Sequence, residues 1–173
     1  MKVVRASLVD GRVLVPLNQD GVDELVGRGY GVREGDALAL QPYEALHLLE
    51  RGNLTVESAG RPLDFQELLH RLSRVEENVW IRYIIYRDLR SRGYVVREGV
   101  GVGLDFRVYG KGEYGKKPAK YLVYGILEGT PIPVEKLVSA LQHAQNLKKN
   151  LILAVVDRKG EIVYYSLSKL SLG

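Results

Sequence analysis

Residues 79–97, VWIRYIIYRDLRSRGYVVR, decide what kind of domain the second half of this chain forms. Trp80, Ile81, Ile84, Ile85 and Leu89 recur at the spacing of one helix face, which predicts a helix from Asn78 to a stop at Gly93. Arg82, Arg87, Arg90 and Arg92 decorate that helix, and Tyr94-Val95-Val96-Arg97 begins a strand directly after the glycine. A second strand, Leu104–Tyr109, follows the glycine-rich turn 99–103, and a third, Lys120–Leu127, follows the polar loop 110–119. Pro131 and Pro133 precede an amphipathic helix running to about Lys148. Two strands, Leu151–Val156 and Ile162–Leu167, close the chain. Helix, three strands, helix and two strands describe an α/β domain with a mixed sheet.

Working back toward the N-terminus, residues 1–75 read as a small α+β module. Strands are expected over 3–9 and 12–16, around the turn dipeptide Asp10-Gly11. Asn18 is placed to cap a helix over 19–28 that ends at Gly29. Pro42 opens a second helix that stops at Gly52, Leu54–Val56 is a brief strand, and Asp64 caps a third helix. Composition and charge change over Glu76–Asn78, which predicts domains of residues 1–75 and 76–173. No motif in the first of these carries chemistry.

Composition narrows the function classes. Hydrophobic residues make up 46% of the 173 and charged residues 27%, the balance of a soluble globular protein. Without cysteine, disulfides, thiolate zinc sites and cysteine nucleophiles are excluded, and His47, His70 and His143 are too few for a histidine-rich metal cluster. No metal or cofactor is therefore expected. No stretch approaches the roughly 20 apolar residues of a membrane span, and the first residues lack the pattern of a signal peptide, so a cytoplasmic location is expected.

Charge divides unevenly along the chain. Residues 1–75 carry nine Lys and Arg against eleven Asp and Glu, and residues 76–173 carry sixteen against ten. The positive excess belongs to the second half, where it either attracts phosphate backbones or forms a solvated mixed surface. Neither glycine-rich stretch, Gly99–Gly103 nor Gly110–Gly112, leads straight into a helix, so both read as turns rather than phosphate loops. The loop GKGEYGKKPAK (110–120), with four lysines, is either plain surface or a finger that contacts phosphate.

Five stretches now form a pattern: YRDLRSRGYVV (86–96), DFRVY (105–109), Tyr121-Leu122-Val123, Leu147-Lys148-Lys149 and ILAVVD (152–157). Their order and spacing across residues 80–167 resemble the C-terminal domain of the archaeal tRNA-splicing endonuclease (tRNA-intron endonuclease) family. The resemblance implies a restriction-endonuclease-like fold and metal-independent cutting of pre-tRNA at intron boundaries, leaving a 2′,3′-cyclic phosphate and a 5′-hydroxyl. It also implies a Tyr, His and Lys triad. Such a triad serves internal transesterification: a base assists the 2′-OH, an acid protonates the leaving 5′-oxygen, and a cation stabilises the phosphorane.

By this resemblance the tyrosine is Tyr109 and the lysine is Lys149. The histidine position falls on Pro118, and the chain has no histidine between His70 and His143. An arginine that the family uses to clamp an intron base corresponds to Gln142. These departures imply a structural subunit, with Tyr109 and Lys149 as vestiges, in a heterotetramer of two catalytic and two structural chains. His143 reads as an ordinary helix residue.

Two contact surfaces follow from the same resemblance. The loop Asp157–Glu161, through Asp157, Gly160 and Glu161, would dock onto the opposite dimer. Val163, Tyr165 and Leu167 share one face of the last strand and would meet a partner strand. Two other readings stay open: a self-sufficient enzyme using Tyr109 and Lys149 with another proton donor, and an RNA-binding module without a nuclease partner.

Overall fold

A computed structural model describes residues 1–101 and 103–173. The chain forms two compact units, Met1–Arg87 and Asp88–Gly173, and the division falls inside a helix.

In the first unit, β1 (Val4–Val9) and β2 (Arg12–Pro16) form the hairpin expected at Asp10-Gly11. The helix expected over 19–28 is shorter: α1 spans Val22–Gly27, and its N-cap is Gly21 at φ 97° rather than Asn18. The reason is local. The Gln19 side chain acts as a strand partner for Arg5, accepting from its N–H at 2.9 Å and donating to its carbonyl at 2.8 Å. That ties residue 19 to β1, and the helix begins only after it.

The short strands β3 (Val32–Glu34) and β4 (Ala37–Leu40) follow, then α2 (Pro42–Glu50), β5 (Leu54–Ser58), β6 (Arg61–Leu63) and α3 (Phe65–Ser73). β3, β4 and β6 are additions to the sequence reading. Pro62 sits within β6 because that strand is an edge, where a missing N–H costs no ladder bond. The sheet order is β3-β4-β2-β1-β5-β6, with β1 and β5 parallel. Asp64 caps α3 as expected: its carboxylate accepts from Glu67 N–H at 2.8 Å, and the Glu67 carboxylate accepts from Asp64 N–H at 3.1 Å.

The long helix α4 spans Val79–Ser91. Its first-unit portion buries Tyr83 and Tyr86, the latter 4.8 Å from the Tyr43 ring. The Tyr83 hydroxyl donates to Glu50 at the end of α2, and Arg87 donates to the same carboxylate at 3.2 Å. Burial, then the Glu50 carboxylate, pushes the Tyr83 phenol well above its usual range.

The second unit holds β7 (Val95–Glu98), β8 (Phe106–Tyr109), β9 (Tyr121–Leu127), α5 (Val134–Asn146), β10 (Asn150–Val156) and β11 (Ile162–Leu167). They form one mixed sheet, β11-β10-β9-β8-β7, in which only β9 and β10 run parallel, joined through α5. Leu104, Leu122, Leu151, Ala140 and Ala144 form the core between α5 and one sheet face. The two alanines let the helix approach closely. The glycine-rich turn 99–103 includes Val102, which lies outside the described residues. Among the described residues, no helix is long and apolar enough to cross a membrane.

Candidate active site

The sheet register assembles the candidate residues before any side chain is considered. Val108 pairs with Tyr121, and Lys120 N–H donates to the Val108 carbonyl at 2.8 Å, so Tyr109 and Lys120 are neighbours across β8 and β9. Asn150 pairs with Tyr121 and donates to the Lys120 carbonyl at 3.1 Å, which puts Lys149 beside the same strand end. Tyr109, the segment Pro118–Lys120 and Lys149 therefore meet at one end of the sheet. Tyr109 packs edge-on against Tyr114 of the lysine loop, with ring centroids 4.9 Å apart.

The end of α5 aims Lys149. Lys149 N–H donates to the Ala144 carbonyl at 2.9 Å and Lys148 N–H to Gln145 at 3.0 Å, the two bonds of a Schellman motif. The motif needs a left-handed residue between helix and strand. Here it is Lys148, at φ 54°, rather than glycine. The Lys149 ammonium then donates to the carbonyl of Ala119 at 2.5 Å. One of its three protons is used there, and two remain for an anion.

Among the described residues, no histidine stands beside them. Pro118 is exposed and has neither a titratable group nor an N–H. The second unit's only histidine, His143, donates from Nε2 to the Val100 carbonyl at 2.9 Å, since a carbonyl can only accept. Val100 follows β7, whereas Tyr109 lies opposite Val95 at that strand's start. The ring is thus held at the other end of the β7–β8 hairpin. A Cβ at Gly101 would lie 2.6 Å from His143 Nε2, so the glycine permits this close seating. Gln142 is exposed on α5, with its amide donating to Asn146 at 2.9 Å.

The surroundings are cationic. Lys111, Lys116, Lys117 and Lys120 line the loop before β9, with Glu113 the one acid among them. Glu113 pairs with Lys117 at 2.9 Å, and that bond holds its carboxyl below the usual range.

The two expected contact surfaces lie elsewhere on the unit. In the loop Asp157–Glu161, Gly160 sits at φ 83° and donates to the Asp157 carbonyl at 3.1 Å. The Asp157 carboxylate accepts from Lys159 N–H at 2.8 Å and Glu161 N–H at 2.9 Å, so it also shapes the turn. β11 is an edge strand on which Val163 and Tyr165 are about half exposed, at 52% and 51%. Leu167 shares their face but packs against the core under α5. On the opposite face, the Tyr164 hydroxyl donates to Asp88 at 2.6 Å, and Arg92 donates to the same oxygen at 2.8 Å.

Sequence reasoning missed the Asp88–Tyr164–Arg92 cluster and the role of Asp105, whose carboxylate accepts from Gly125 N–H at 2.7 Å. Asp88 lies within the quoted pattern, but nothing in one sequence pairs it with a strand 76 residues away.

Comparison with known proteins bears on the family of the chain. Residues 4–69 match the N-terminal domain of the tRNA intron endonucleases, and residues 79–164 match their catalytic C-terminal domain. A tRNA-splicing endonuclease of Methanococcus vannielii is 33% identical over 172 residues, covering 99% of this chain and 97% of the relative. One from Pyrococcus abyssi is 31% identical over 168 residues, covering 96% and 97%. One from Methanococcoides burtonii is 36% identical over 168 residues, which make up 96% of this chain but only 46% of that protein. With both halves matched and whole-length relatives above 30% identity, the chain belongs to the tRNA intron endonuclease family.

Proposed function

We propose that this chain is the structural subunit of a splicing endonuclease that removes introns from pre-tRNA, working beside a catalytic chain of the same family. The observation that carries the reading is Pro118 at the site's third position, while His143 is engaged at Val100. Tyr109 and Lys149 keep their places, and the general acid is missing. Losing such a group costs about 10²–10⁴ in rate.

The rest of the surface supports a partner. β11 presents an apolar, unpaired edge, and Val134 and Val138 of α5 stand exposed at 70% and 60%. Such surface on a free chain invites association. The relative with only 46% coverage has room for a second stretch of about this chain's length. In the assembly we assign Val163, Tyr165 and Leu167 to a strand contact and Asp157, Gly160 and Glu161 to docking between dimers, giving two structural and two catalytic chains. The lysine loop adds basic surface for the RNA. We place the domain boundary in the loop between α3 and α4, between the two matched stretches, and the working location in the cytoplasm.

The deciding experiment incubates an intron-bearing pre-tRNA with the purified chain, with a family member retaining Tyr, His and Lys, and with both. Cleavage is expected only where the second chain is present, and co-purification of the two is expected. Cutting by this chain alone, comparable to the pair, would overturn the reading in favour of a self-sufficient enzyme. In Pro118→His, weak cleavage should appear, raised on the order of 10²-fold over the background of the unaltered chain.

A further inference from the structure

On the face of the second unit's sheet opposite α5 there is a pocket of about 200 Å³ lined by Leu89, Tyr94, Val108, Tyr121, Val123 and Ile152. Its floor is aliphatic, and two of its walls are tyrosines whose rings stand at 90° with centroids 6.5 Å apart. Both tyrosines are half-buried. A cation stands over each ring face: Lys111 Nζ is 5.2 Å from the Tyr94 centroid and Lys120 Nζ 5.4 Å from that of Tyr121. Asp88, the acid nearest Leu89 in sequence, is already held by Tyr164 and Arg92.

The register fixes the pocket's place relative to the candidate active site. Tyr121 follows Lys120 and pairs with Val108, while Tyr94 precedes Val95, the partner of Tyr109. Side chains alternate between the faces of a strand. Tyr94 and Tyr121 therefore lie at the same end of the sheet as Tyr109 and Lys149, but on the opposite face.

We propose that this pocket binds one unpaired base of the RNA strand, a role that rests on the chain acting on RNA as argued above. Single-stranded RNA is held by stacking bases on aromatic rings while cations take the phosphates. The pocket supplies both in the right arrangement. A base stacks on one tyrosine with its edge toward the other, and Lys111 and Lys120 swing from the ring faces to the flanking phosphates. The strand then rounds the lysine loop at the sheet end where Tyr109 and Lys149 stand. Charge complementarity favours RNA over an apolar peptide, because the charges that stand over its two tyrosine rings, Lys111 and Lys120, are both positive.

The test titrates the full chain with a fluorescently labelled single-stranded RNA, following anisotropy at several salt concentrations. Tyr94→Leu and Tyr121→Leu keep apolar bulk and remove the aromatic wall; each should weaken binding roughly five- to tenfold with the salt slope unchanged. Lys111→Gln should instead lower that slope by about one. A strand of abasic residues should bind the unaltered chain and Tyr94→Leu alike. Undiminished RNA binding by folded Tyr94→Leu and Tyr121→Leu overturns the proposal. So does normal RNA binding with lost association to the catalytic chain, which would make this a protein-docking site. If the variants fail to fold, crosslinking 4-thiouridine RNA to the unaltered chain decides: adducts at Tyr94 or Tyr121 support the pocket, and adducts only elsewhere refute it. Tyrosine-dependent RNA binding without pre-tRNA cleavage by the pair would refute the subunit role and leave the pocket standing.

Discussion

Replacing Tyr164 by Phe removes one atom from the joint that ties the edge strand β11 to the end of α4. The hydroxyl donates to Asp88 Oδ2 at 2.6 Å, and a hydrogen bond to a charged acceptor contributes about 1.5–3 kcal/mol. The contribution here falls at or just below the bottom of that range. Asp88 keeps Arg92 at 2.8 Å, and its side chain is 29% exposed, so water can fill the vacated lone pair. The phenyl ring stays in place and opens no cavity. A loss of about 1–1.5 kcal/mol is therefore expected, a drop of about 2–6 °C in melting temperature for a chain of this size.

Because the chain has two units, global melting alone could mask the effect. Hydrogen exchange across the β10–β11 ladder, for instance where Val155 pairs with Val163, should report it directly as faster opening of β11. The pH dependence gives a second check. Burial, then the bond to Asp88, raises the phenol above its ordinary value of 10.0. The native state thus holds this proton more tightly than the unfolded chain. The hydroxyl's contribution is complete below pH 10 and is lost as pH rises beyond it. The gap between the unaltered chain and Tyr164→Phe should be constant from neutral pH to about 9 and shrink above 10. Equal β11 exchange in the two proteins at neutral pH would refute the reasoning.

Substitutions at three further positions test local geometry. Lys148→Gly relieves a left-handed non-glycine residue and should stabilise the second unit by about 0.5–1 kcal/mol, less than the full steric cost because glycine is freer when unfolded; denaturant titration reads this. Asp64→Ala should cost about 1 kcal/mol through loss of the α3 cap, with Asp64→Asn recovering most of it. In the same capping box, the Asp64 N–H and then Arg61 hold the Glu67 carboxyl below its ordinary value of 4.5, so any benefit over Glu67→Gln should be present above pH 4.5 and fade as pH falls through the lowered value.

The second unit was legible in sequence because its elements are long and their patterns clean. Residues 79–97 carry an unbroken helical face, a glycine stop and a strand start, and nothing competes with that reading. The first unit was harder for physical reasons. β3 and β6 are three residues each, too short for an alternation to register, and β6 contains a proline that argues against a strand until its edge position is known. Asn18 was a reasonable cap by type. Only the contacts of Gln19 with Arg5, fourteen residues back, show why the helix starts later.

The site divides along the same line between local and distant information. That Tyr109 ends a strand and Lys149 follows a helix could be read from the chain; that they meet depends on β8, β9 and β10 being adjacent and in register. The main chain alone holds that meeting in place. Lys149 is aimed by backbone bonds from Ala144 and received by the Ala119 carbonyl, and neither contact involves the side chain at 118. Proline can therefore replace a general acid there without disturbing the lysine. On the reading proposed above, this independence would let an inactive chain keep a well-formed site, because the groups that shape the sheet end belong to the main chain. It also makes Pro118→His informative, because a histidine restored there enters a site whose other two members are already held in place.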